Sequence, residues 1–286
     1  MVSVHADDVQ AHTRRYLLLG LVVGLQACGE AAPEKPAVAA PSYDGKNRVL
    51  SFDGLNDYAT TGTASFPVAL HPQTVALWVR PVRVVQEPDG GDRDAAIGPD
   101  DRQSLVVLRK DFESGIVLGL HNGVFEVWGV FSQKTYVKAP MPAEPLAWQY
   151  VAYTFDGSKH RLFVNGDVVD EGDAETQNRT STTAWLGSLE GSSQLFVGEM
   201  DAVRVYSELA LSDATIATQA ERGRSYDSSI EDSTGADAEV GRPTLVLWLG
   251  FDEVSGHKAF DRSGLGNDAL LGDGVIEHMP DRLIDP

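Results

Sequence analysis

From residue 48 onward the chain alternates short apolar runs with polar turns. The stretch "TVALWVRP" is β-branched and aromatic and stops at Pro81, where the backbone loses a donor. "GIVLGL" and "VFEVWGV" flank Asn122-Gly123, and "HRLFV" and "DVVDEG" flank Asn165-Gly166. Both dipeptides tolerate φ > 0, which two-residue hairpins require, so each predicts a hairpin. "WQYVAYTFDG" and "LFVGEMDAVRVY" predict further strands. Their apolar residues fall on both faces, which suits sheets covered on two sides. A single segment, "DATIATQAERG", reads as a short helix, with Ser212 as its cap, Asp213 in its first turn and Gly223 as its stop. Acidic, Gly-rich stretches at 86–103 and 226–241 predict long surface loops. The pattern is that of an all-β chain: a two-sheet antiparallel β-sandwich with one short helix.

The first residues follow a different pattern. Arg14 and Arg15 precede an apolar run from Tyr16 to Ala27 that is too short to span a bilayer but suits an export signal. Leu25-Gln26-Ala27-Cys28 resembles the bacterial lipobox, in which a lipid is attached to the cysteine and the chain is cut before it. That resemblance implies a signal over 1–27, lipid attachment at Cys28, and an anchor in the bacterial cell envelope. Gly29 after the cysteine leans towards the outer membrane or cell surface. The Ala/Pro-rich stretch 28–46 has no apolar period and predicts an extended tether, which leaves 47–286 as one domain.

Composition narrows the partners. A formal net charge of -19 opposes binding to nucleic acid and to anionic headgroups, because phosphate recognition relies on Lys and Arg. Membrane contact is thus expected through the lipid alone. With one cysteine there is no intrachain disulfide and no cysteine-based zinc site. The seven histidines show no HxH or HExxH spacing, and His121 and His160, at turns or strand starts, are expected to be solvated.

Four segments, "VLSFDGLNDYATT", "TVALWVRP", "WQYVAYTFDGSKHRLFVNGDVV" and "FVGEMDAVRVYSELALSDATI", together resemble the laminin-G-like, concanavalin A-like lectin/glucanase jelly rolls, in that order. In many bacterial members a strand like "WLGFDEVSG…DRSGLGN" precedes the "SFDG" strand. Here it follows Gly241. The tail is a truncated second domain, an unstructured fragment, or the missing strand of the same sandwich supplied from the other end. Leu245, Leu247, Trp248, Leu249 and Phe251 are too apolar for a free tail, and some forty residues cannot bury enough surface to fold alone. The third reading therefore predicts that residues 244–252 insert beside "VLSFDG" or "DAVRVY" and that the C-terminal strand completes the sandwich.

The resemblance also implies candidate sites. Concanavalin A-like sandwiches often hold calcium between the first and last strands, which makes Asp201 the leading ligand, with Asp53 and Asp252 as neighbours; each also suits a plain turn residue. A pentraxin-like face would place Asp111, Glu113, Glu190 and Gln194 in ligand-binding loops. Of the five tryptophans, Trp128 and Trp185 lie near loops and are the candidates for stacking on a sugar. Laminarinase-type relatives carry Glu-x-Asp-x-x-Glu on one strand. Here Glu199 and Asp201 share a face, but Arg204 stands where the longer form of that motif needs its second glutamate. No catalytic residue is therefore expected. The expected function is a non-catalytic, envelope-anchored module that binds glycan or polysaccharide. A protein-binding or structural adhesion lipoprotein is the alternative, and a laminarinase-type glycoside hydrolase the third.

Overall fold

The computed structural model describes residues 41–61, 72–82, 102–109, 115–130, 132–174, 183–224 and 244–285. Its strands are β1 (Arg48–Asp53), β2 (Ala59–Thr60), β3 (Gln73–Pro81), β4 (Arg102–Arg109), β5 (Gly115–His121), β6 (Val124–Gly129), β7 (Thr135–Lys138), β8 (Gln149–Phe155), β9 (Lys159–Val164), β10 (Asp167–Asp173), β11 (Thr183–Leu186) and β12 (Val197–Ser207). The helix α1 (Asp213–Arg222) follows, and then β13 (Leu245–Leu249), β14 (Lys258–Ala259), β15 (Ala269–Leu271) and β16 (Asp281–Ile284). All strand pairs are antiparallel. One sheet runs β10-β9-β8-β3-β12-β1-β16, with β13 also on β12; the other runs β14-β15-β2-β11-β4-β5-β6-β7. This is the two-sheet sandwich expected from the strand pattern, in the jelly-roll form that the resemblance implied.

Local chemistry sets the turns. Asn122 and Gly123 join β5 to β6 with φ of 51 and 74, and Asn165 and Gly166 join β9 to β10 with φ of 52 and 94. The Ser212 hydroxyl accepts from the Thr215 N–H to start α1, and Gly223 ends it at φ 77. Ile216 of the helix packs with Tyr150, Phe163, Tyr206 and Trp248, so α1 covers the outer face of the first sheet. Between the sheets lies the main core, including Phe52, Leu77, Leu118, Phe125, Tyr153 and Phe196. The last two residues of the loop expected over 86–103 are strand, since β4 begins at Arg102. Residues 86–101 and 226–241 lie outside the described residues.

The C-terminal segment belongs to both sheets. β12 keeps β3 along one side, while its other side is shared end to end. Leu50 to Asp53 of β1 pair with Met200 to Val197, and Leu249 to Leu245 of β13 pair with Val203 to Tyr206. A bulge falls between the two partners, with Ala202 at φ 49. Of the two expected neighbours, β13 takes the "DAVRVY" strand. β16 then zips onto the outer side of β1, with Arg48 opposite Ile284, and β15 joins the second sheet on β2. Val246, Leu247, Leu249, Phe251, Ala259, Ala269 and Leu271 all lie in the main core.

The "DRSGLGND" loop fixes this segment. One Asp261 carboxylate oxygen accepts from the Trp248 and Ser263 N–H groups at 3.0 and 2.9 Å. The other accepts from the Ser263 hydroxyl at 2.7 Å and the Asn267 N–H at 2.9 Å. Asn267 in turn donates to the Val246 carbonyl at 2.7 Å. The loop is thus a plug that satisfies backbone donors beside β13.

Candidate functional site

On the second sheet, side chains of β4, β5, β6 and β11 that turn away from the core form an outer row. Thr60, Trp185, Val107, Val117 and Trp128 stand opposite one another across neighbouring strands. With strands about 4.8 Å apart, three steps put Trp185 and Trp128 roughly 14 Å from each other on this face. Their environments differ. Trp128 is 0 % exposed and packs with Val107, Val117 and Val130. Its indole lies over Gly119, where a Cβ would come within 2.6 Å of the ring, and Arg102 sits 5.2 Å from its centroid. The expectation that Trp128 stacks on a sugar is therefore corrected: it is a packing residue of this face, because the missing Cβ at Gly119 lets the ring fold down onto the sheet.

Trp185 is half-buried and lies against Tyr58, with ring centroids 5.6 Å apart and planes at 41°. Tyr58 comes from the turn before β2. Asp57 in that turn accepts from the Asp53 N–H at 2.9 Å, and Asp53 accepts from the Leu55 N–H at 2.8 Å. The tail supplies the far side of the Tyr58 ring. The His278 ring is 6.0 Å from it, and the Tyr58 hydroxyl donates to Asp273 at 3.2 Å. The loop after β11 closes over the same ring: a Cβ on Gly191 would come within 2.9 Å of it, and the Gly191 N–H is held by the Ser188 hydroxyl at 2.8 Å. That loop carries Glu190, at φ 58 and exposed, into an ion pair with the buried Arg109 of β4. The result is a platform in which the buried Tyr58 backs the half-buried Trp185, with Asp273 and His278 against Tyr58 and the Glu190–Arg109 ion pair in the adjoining loop and strand. Burial beside Asp273 pushes the Tyr58 phenol above its usual range, desolvation being the larger cause.

Trp185 and Glu190, named in the sequence under separate candidate sites, both lie beside Tyr58: Trp185 through its ring and Glu190 in the loop whose Gly191 closes over that ring. Gln194 has a different job: its side chain accepts from the Ser104 hydroxyl at 2.9 Å and its carbonyl from the Ser104 N–H at 2.7 Å, so it ties the loop to β4. Asp111, Glu113 and Cys28 lie outside the described residues. Tyr58, Arg109, Asp273 and His278 were not singled out in the sequence. Tyr58 stands in the quoted "SFDGLNDYATT" segment, but nothing local marks it as a ring partner of a tryptophan more than a hundred residues away.

The three calcium candidates do not assemble. Asp53 lies opposite Val197, four residues along β12 from Asp201, about 13 Å away by strand rise. Its oxygen closes the turn described above. Asp252 accepts from the Arg48 N–H at 3.0 Å with one oxygen and from Arg262 at 2.8 Å with the other. Asp201 is 1 % exposed, accepts from the Asn47 amide at 3.3 Å, and has Arg224 at 3.9 Å. Desolvation, opposed by the Asn47 hydrogen bond and reinforced by the charge of Asp252, pushes its carboxyl up to about 7. Among the described residues, no three His, Cys, Asp or Glu side chains gather where they could hold a metal ion. Calcium, which wants six to eight oxygens, does not fit this arrangement: the cations beside Asp201 and Asp252 are the guanidinium groups of Arg224 and Arg262.

Glu199 and Asp201 do share a face, since Met200 between them turns into the core. Glu199 is held by an ion pair with Arg80. His160, expected in solvent, is buried. It stacks between Tyr136 and Phe155 at 4.6 and 4.7 Å, with its Nδ1 2.8 Å from the Tyr153 hydroxyl. β7 folds over β9 at this edge and excludes water from the ring.

Comparison with known proteins adds the family. Residues 52–217 match the family described as the concanavalin A-like lectin/glucanases superfamily. No curated protein sequence matches the chain. Among solved structures it is similar to a Bacteroides ovatus protein to which carbohydrate binding is ascribed, at 15% identity and TM-score 0.51 over 79% of this chain. The chain spans 58% of that protein's length. It is also similar to the heptameric SAP-like pentraxin of Limulus polyphemus, at 16% identity and TM-score 0.44, over 63% of this chain and 84% of that one. A third is domain 4 of a GH43 extracellular arabinanase from Geobacillus stearothermophilus, in complex with arabinotriose, at 17% identity and TM-score 0.42, over 63% and 80% of the two chains.

Proposed function

Since this chain belongs to the concanavalin A-like lectin/glucanase superfamily, we propose that it is a non-catalytic glycan-binding domain whose ligand lies against the Tyr58–Trp185 platform. The observation that carries the reading is the half-buried Trp185, with one side of its ring backed by Tyr58 and carboxylates at the rim of the platform. A sugar ring presents an apolar C–H face that stacks on an indole and hydroxyls that donate to carboxylates around it. The rigidity of the platform matters as much as its composition. Tyr58 is clamped by Asp273, His278 and Gly191, so little ordering entropy is lost when a ligand docks.

The non-catalytic half of the proposal rests on the first sheet. Retaining hydrolysis needs one carboxylate as nucleophile and a second as acid, about 5 Å apart across the bond. Glu199 is committed to Arg80, and Asp201 is sealed from solvent.

Trp185→Ala tests the reading. The variant should keep its fold, because the ring is half-buried at the surface of the sandwich, and should bind immobilised soluble polysaccharides at least about fivefold more weakly than the parent, the loss of one stacked aromatic being worth about 1–2 kcal/mol. Unchanged binding by a folded Trp185→Ala protein would place the ligand elsewhere. Release of reducing ends by the parent that disappears in Glu199→Gln would overturn the non-catalytic half.

A further inference from the structure

We infer that the platform selects uncharged glycans and turns away polyanionic ones. This rests on the glycan reading above and adds the charge of the ligand to it. Besides the half-buried His278 and the buried Arg109, the charged groups that rim the two rings are the exposed carboxylates of Glu190 and Asp273, which accept. Glu190 is exposed, and its ion-pair partner Arg109 is buried beneath it, so the cation here is already taken and is not offered to a ligand. Asp273 is exposed and reaches the platform through the Tyr58 hydroxyl, and Glu277, one residue before His278, is exposed as well. An ionised carboxylate accepts hydrogen bonds and donates none. A neutral sugar supplies the donors such a rim needs, whereas a uronate or sulfate supplies further acceptors.

Long-range charge acts in the same direction. The whole chain carries -19, and an anionic polymer nearing this rim comes within about a Debye length, roughly 8–10 Å at ordinary ionic strength, of several carboxylates at once. Like charges at that range slow the encounter and weaken the complex. Stacking on Trp185 is indifferent to salt, so the two contributions separate in a salt series.

The experiment uses the full chain and two classes of probe: soluble neutral polysaccharides (a glucan, a xylan, an arabinan) and polyuronates (polygalacturonate, alginate). Affinities are measured at about 20 mM and about 500 mM NaCl, where the screening length falls from about 20 Å to about 4 Å. The expected result is binding of at least one neutral polymer with less than about twofold change across the series. Polyuronates should bind at least about tenfold more weakly at low salt, with the gap narrowing at high salt as the repulsion is screened. In the double variant Glu190→Gln/Asp273→Asn the ratio of neutral to polyuronate affinity at low salt should shrink, whatever happens to neutral binding itself. Polyuronate binding that equals or exceeds neutral binding, or that weakens as salt is added, overturns this inference and leaves the glycan reading standing. Absence of binding to every polymer in both salts overturns the glycan reading, and this inference with it.

Discussion

Burying a carboxylate away from water disfavours its charged form, and Asp201 shows the effect most strongly among the described residues. Its carboxyl is pushed up to about 7, and that of Asp57, also chiefly by desolvation, to about 6. The native protein therefore holds these protons more tightly than the unfolded chain, in which both groups titrate near 3.8. Between about pH 4 and 7 the folded state binds more protons, so stability falls as pH rises through that window. Asp44, paired with Arg48, and Glu171, paired with Lys159 and Arg161, are shifted down, and their contribution is lost as pH falls below about 4. Chemical denaturation across pH should thus give an optimum on the acid side of neutrality. Asp201→Asn should flatten the decline between pH 5 and 8 and raise stability at pH 8 by about 1–3 kcal/mol. A parent whose stability climbs from pH 5 to 8 would contradict this account. The family resemblance singled out Asp201 as a calcium candidate; spacing cannot tell that Arg224 and Asn47 reach it.

At the scale of elements, β16 is four residues long and carries exposed Leu283 and Ile284, so burial alone does not hold it on β1. Arg282 does much of the holding. It donates to Glu253 at 2.8 Å and to the Lys258 carbonyl, while Glu253 also accepts from the Phe260 N–H at 2.8 Å. Both members of the ion pair are buried. Removing one partner of such a pair leaves the other charge uncompensated, which costs about 3–5 kcal/mol. Arg282→Ala should show that loss in urea unfolding, and exchange of the β1 amides that face β16 should speed up. A loss under about 1 kcal/mol would mean that Glu253 finds water in the variant. The hairpins, by contrast, were legible from Asn-Gly alone, because a two-residue turn is specified by the φ that its own residues tolerate.

For the whole molecule, the decisive feature is that residues 245–284 supply strands to both sheets and seven side chains to the main core. At about 1.5–3 kcal/mol for each of the five larger side chains among them, their removal costs about as much as the 5–15 kcal/mol by which a domain is normally stable. Truncation after residue 243 should give no soluble, cooperatively unfolding protein; a well-folded 1–243 fragment would refute the architecture. The sequence by itself determined the sandwich, its two Asn-Gly hairpins, the Ser212-capped helix and the need for the apolar tail to be buried. Each of these follows from local φ preferences or from the period of apolar residues, which act between neighbours in the chain. Only the tertiary structure decided which strand the tail pairs with, that Trp128 is buried while Trp185 is half-buried against Tyr58, and that Asp273 and His278 reach Tyr58 from the tail. Those outcomes depend on contacts between segments far apart in the chain, where backbone pairing is the same for many registers and the packing of particular side chains selects among them.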